Sequence, residues 1–230
     1  LGDSYRYKRP VIDMIGEALP HTLELVGLSM LIAIPLAMTV GIIAAVKRNS
    51  WLDNLLTALT ITGRSMPTFW LGLLLMYLFA VILKWLPPSG SGGFRYLILP
   101  AVTLSMGLAT STVRLTRNSM LSVIRQDYMT TAAAKGVSPA RLLVSHGLRN
   151  SLVSVITMIA LQVGNLLGGS IVVETVFSYP GIGRVLVTGI LVYDYPVVQA
   201  SIVIMAALFV GINLVVDLLY TVIDPRISVQ

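Results

Sequence analysis

The run LELVGLSMLIAIPLAMTVGIIAAV, Leu23 to Val46, holds one charged residue, Glu24, near its start, and Lys47 and Arg48 end it. A helix of about 17–25 mostly apolar residues crosses the hydrocarbon core of a bilayer. Charged residues make up 11% of the 230 and apolar ones 56%, against roughly a quarter charged in a soluble domain. Too little polar surface exists to cover a globule, so the chain reads as a membrane protein.

Further runs follow the same rule. Trp51–Thr62 and Met66–Leu83 are apolar, with Arg64 and Pro67 between them, and read as one long kinked span from about Asn54. Leu97–Val113, Leu152–Val173 and Val197–Val222 complete five spans. Inside lipid the backbone must satisfy itself, so the fold class is an all-α polytopic helical bundle. Residues 1–20 are mixed and polar and read as an arm, with the transmembrane domain at 21–230 and a polar segment at 114–150.

With the arm outside, the inner loops hold Lys47, Arg48, Arg114, Arg117, Arg125, Lys135, Arg141, Arg149 and Arg226, against Lys84, Arg95 and Arg184 outside. That imbalance follows the positive-inside rule and places the C-terminus in the cytoplasm. It also accounts for the net charge of +6 without nucleic acid. The absence of cysteine excludes disulfides and thiolate metal sites, and no metal site is expected.

The segment DYMTTAAAKGVSPARLLVSHGLRNS, Asp127 to Ser151, interrupts the apolar pattern. Asp127 is placed to cap a short helix through Thr130, Thr131, Ala132 and Ala133 to Lys135, and Gly136 suits a left-handed helix end. Ser138-Pro139 restarts a second short helix. The small residues permit close approach by another backbone. A plain basic loop satisfies the same charge rule.

This stretch resembles the EAA loop of ABC-importer permeases. Aligned on Gly136, the E-A-A triplet falls on Thr130, Thr131 and Ala132, a variant similar to that of the dipeptide, oligopeptide, nickel and glutathione importer permeases. MPTFWLG, WLPPSG, LLGGSIVVETVFSYPGIGRVL, DYPVVQA and NLVVDLLYTVIDPRI extend the resemblance along nearly the whole chain. It implies a type I importer fold of six spans in the bacterial inner membrane, the first being absent from this stretch. It also implies a second permease chain, an external substrate-binding protein, and cytoplasmic ATPase subunits that dock on Thr130–Gly136 with Lys135 and Arg141 at the rim. No G-x-x-x-x-G-K-[ST] occurs, so this chain should bind no cofactor, and ATP and Mg belong to the partner.

Polar residues in or beside spans are candidates for a translocation path or gate. Gln162 and Asn165 share a helix face; Asp217 lies mid-span, poised for the path or for pairing with an arginine such as Arg64 or Arg114. Glu174 would face an outer cavity or anchor its loop. Pro180-Gly181 reads as a type II turn before a short interfacial helix. An intramembrane enzyme is disfavoured: Ser65 lies near a span, but His21 and His146 fall at opposite faces. A stand-alone ion-coupled carrier would leave the central segment without a role.

Overall fold

The computed structural model describes residues 2–138, 142 and 149–223. Its helices are α1 (Val11–Val46), α2 (Trp51–Ser65), α3 (Thr68–Met76, running into a π-helical turn at Tyr77–Ile82), α4 (Phe94–Ile124), α5 (Asp127–Ala134), α6 (Arg149–Val176), α7 (Ile182–Leu191) and α8 (Tyr195–Ile223). Among the described residues, three helices are long and apolar enough to cross a membrane, or four if α2 and α3 form one broken span. α6, with 28 residues, occupies the expected fourth span.

α1 begins at Val11, so the reading of residues 1–20 as an arm holds only for the first ten. Val11, Ile15, Ala18 and Thr22 recur at helical spacing and are buried. The first three pack on Ile182, Val197 and Ala200. Asp13 and Glu17 on the other face hide that stripe from a hydropathy scan. Residues 2–10 form a knob instead. The Ser4 hydroxyl donates to the Asp194 carboxylate, as do the backbone N–H groups of Tyr5 at 3.1 Å and Arg6 at 3.2 Å.

Farther along α1, Ala33, Ala37, Gly41 and Ala45 are buried at every fourth position. Small residues so spaced let two membrane helices approach closely. A Cβ on Gly41 would stand 2.7 Å from the Thr116 Cβ and 2.8 Å from the Val113 carbonyl oxygen. α1 and α4 therefore run nearly backbone to backbone there.

The turn after α1 is pinned by a charge pair absent from the sequence expectations. Ser50 caps α2 by accepting from the Asp53 N–H, while the Asp53 carboxylate accepts from the Asn49 N–H at 3.0 Å. The same carboxylate receives Arg117 of α4 in a two-pronged pair, Nε at 2.7 Å and Nη2 at 2.8 Å. Asp53 is buried, and removing one partner from such a pair costs about 3–5 kcal/mol.

The expected single kinked span is instead bent by 105° between α2 and α3. Met66 and Pro67 are both extended there, with ψ of 127° and 137°. Proline disfavours helical geometry in the residue before it, so the helix stops rather than kinks.

Candidate translocation cleft, outer hub and coupling helix

The break between α2 and α3 opens a polar cleft of about 300 Å³ lined by Arg64, Thr68, Gly107, Thr110, Ser111 and Gln162 among others. An adjoining space of about 220 Å³ shares Thr68, Gly107 and Gln162 and adds Asn165. The Ser111 hydroxyl donates to Gln162 Oε1 at 2.7 Å, joining α4 to α6. Gln162 thus both bonds a neighbouring helix and lines the cleft, and Asn165 is exposed to it. Thr110 and Ser111 were not among the sequence candidates. Their signal was a run of hydroxyl residues, Thr110-Ser111-Thr112, near the end of the apolar run Leu97–Val113.

Arg64 lies in the last turn of α2 and lines this cleft. Among the described residues it has no ion-pair partner. The side chain of Asp217, to which a pairing with Arg64 or Arg114 was ascribed, lies outside the described residues.

The hub where α6 meets α7 is built differently. Glu174, near the end of α6, is fully buried. Its carboxylate accepts from the Thr22 hydroxyl at 2.8 Å and from the Arg184 N–H at 3.2 Å, and the Thr22 oxygen accepts from the Ile182 N–H at 2.9 Å. The start of α7 has no side-chain cap of its own. Thr22 and Glu174, from two other helices, satisfy its orphan N–H groups, and the negative charge complements the helix dipole. Glu174 is therefore enclosed and anchors the following loop.

Gly181 corrects the turn expectation. Its φ is −90° and its ψ is 176°, which a type II turn does not use. Space demands glycine there: a Cβ would overlap the Glu174 carboxylate. The left-handed residue of this loop is Ser178, with φ 51°. Pro180 is half-buried beside it.

A cavity of about 650 Å³ opens next to the hub, lined by His21, Glu24, Gly92, Phe94 and Tyr179 among others. The Tyr179 hydroxyl donates to Glu24 at 3.4 Å. Burial, with the charge of Glu24 added, pushes that hydroxyl up to about 12, so it stays a donor.

At the other end of α4, α5 matches the expected first short helix. The Val137 N–H reaches back to the Ala132 carbonyl at 3.3 Å, and Gly136 is left-handed at φ 81°, closing a Schellman end. Met129 is tucked in, while Thr130, Thr131, Lys135 and Gly136 are exposed and Ala132 is half-buried. The side chain of Ala133, all of Arg141 and most of the second short helix lie outside the described residues.

The model of a family described as binding-protein-dependent transport system inner membrane component matches residues 37–229. The chain belongs to that family. The glutathione transport system permease protein GsiC of Salmonella paratyphi A is 48% identical over 226 residues, covering 98% of this chain and 74% of the relative. GsiC of Escherichia coli O6:H1 is 48% identical over 227 residues, covering 99% and 74%. In fold, the chain is similar to the MetNI methionine ABC transporter in its inward-facing conformations, with a TM-score of 0.81 at 20% identity, over 94% of this chain and 98% of that one. An amino acid ABC transporter solved with histidines gives 0.65 at 13% identity. The all-α permease fold expected from the sequence is the one found, and family membership makes the chain an inner-membrane transport permease.

Proposed function

We propose that this chain is the substrate-conducting permease of an ATP-driven importer for short peptides or a related small solute such as glutathione. An external binding protein delivers the solute. A second permease chain, identical or homologous, completes the path, and ATP with Mg is bound and hydrolysed by cytoplasmic ATPase subunits. The residues before α1 face outward and the C-terminus lies in the cytoplasm.

The observation that carries this reading is α5. It is a capped helix with an exposed small-residue face, set just beyond the end of a 31-residue helix that exceeds the bilayer core. Such a surface suits a docking groove on a partner. ATP acts through it by favouring one permease conformation over another, which needs differential binding and no chemistry in this chain.

Co-purification with a stoichiometric ATPase, and ATP-dependent uptake when the binding protein is added, test the assignment. Gly136→Trp should uncouple hydrolysis from uptake. Gly136→Ala is its control, since both strain the left-handed position and only tryptophan adds bulk at the contact. Equal behaviour of the two variants removes Gly136 from the contact. Uptake into vesicles by this chain alone overturns the reading in favour of an independent carrier.

A further inference from the structure

We propose that the cleft at the α2–α3 break is a carboxylate-binding subsite, with Arg64 as the group that reads the charge; this rests on the importer reading above. Four observations converge. First, the cleft is enclosed by helices of the membrane bundle: the α2–α3 break, Gly107, Thr110 and Ser111 of α4, and Gln162 of α6 line it. A guanidinium within such a bundle is costly unless it faces an aqueous cavity or a counter-charge. Second, among the described residues no aspartate or glutamate lines the cleft.

Third, the other lining groups suit an anion. Thr68 begins α3, and that helix start has no side-chain cap, leaving its first N–H groups and positive dipole end without one. Thr110 and Ser111 add hydroxyls. Fourth, the arrangement contrasts with Arg117 and Arg9, which pair with Asp53 and Glu17 respectively. The ligand class is a small solute with a free carboxylate, such as the C-terminus of a short peptide. The two adjoining spaces accommodate a terminus and a few neighbouring atoms, so selection falls on charge and not on side-chain identity.

Because the chain has no cysteine, Thr110→Cys places one thiol of this chain in the cleft, and Met106→Cys is a second reporter. The full importer complex is purified, and labelling of that thiol by a maleimide is followed by mass spectrometry of the peptide carrying it. The probes are tri-alanine and tri-alanine amide, which differ only in the terminal charge. Tri-alanine should protect at about tenfold lower concentration than the amide, the scale of one charge-assisted hydrogen bond. Arg64→Gln should abolish the difference and Arg64→Lys should retain part of it. Equal protection by both probes, protection by neither, or an acid preference that survives Arg64→Gln overturns the subsite. ATP-driven uptake by the unmodified complex in proteoliposomes is read separately. Its presence with no acid preference sinks the subsite alone, and its absence for every solute sinks the importer reading.

Discussion

The hub between α6 and α7 and the cleft at the α2–α3 break each hold an ionisable side chain, and they treat it in opposite ways. Glu174 is enclosed, accepts bonds from Thr22 and the start of α7, and is packed so tightly that Gly181 and Gly183 have no room for a methyl. Arg64 lies against open space with hydroxyls and a helix start around it and no partner among the described residues. A satisfied buried group fixes geometry; an unpaired one beside open space keeps its interaction free for something transient.

The sharpest way to break this contrast is Glu174→Ala. It strands the Thr22 hydroxyl and the Arg184 N–H, each worth about 1–3 kcal/mol, so a loss of about 3–5 kcal/mol is expected in denaturant or SDS titration. A loss under about 1 kcal/mol would mean that the hub is not structural. Gly183→Ala comes next: a Cβ would meet the Ile171 Cα at 2.6 Å and Glu174 Oε2 at 2.8 Å. Overpacking of this kind costs about 1–3 kcal/mol. Arg64→Gln should change stability by less than about 0.5 kcal/mol, because among the described residues no bond is lost. A large destabilisation there would show that Arg64 is structural after all.

The smallest effect concerns Asp194 and is conditional on pH. Burial pushes its carboxyl up, but the hydrogen bonds from Ser4, Arg6 and Tyr5 outweigh this and hold it below the ordinary 3.8. A depressed carboxylate stabilises at pH values above its unfolded range, and that contribution is lost as pH falls through the lowered value. Amide exchange at Tyr5 and Arg6 should therefore be protected at neutral pH and lose protection only below about pH 4. Exchange that is fast at neutral pH would detach the knob from Asp194.

What was legible in the sequence divides along the same line. α5 and its glycine end were readable because their signals are local: an acidic first residue, small helix formers, then a left-handed glycine. Pro67 announced a disturbance but not its size, since a 105° break depends on what packs on each side. Pro180-Gly181 misled because the dipeptide is a turn signature in isolation, while the constraint on Gly181 comes from a carboxylate on another helix. The pairing of Asp53 with Arg117 spans 64 positions and leaves no periodic trace. Gln162 and Asn165 were identifiable as polar residues on one helix face, but only the fold brings Arg64 and Ser111 beside them.

One consequence follows from the uninterrupted run of α4. At 1.5 Å per residue its 31 residues make a strut about 46 Å long, locked along one side to α1 at Gly41. Its C-terminal end leads through Arg125 and Gln126 into α5. Its N-terminal end follows the turn in which the Gly90 N–H bonds the Phe177 carbonyl at 2.9 Å, within the loop that Glu174 secures. A sideways load applied at α5 is therefore carried as a tilt of the whole strut and not absorbed as local bending. Pro100, six residues from the N-terminal end, is the one place inside α4 where proline removes a helix hydrogen bond. A displacement of α5 and movement beside the His21–Glu24 cavity then become two readings of one strut's tilt.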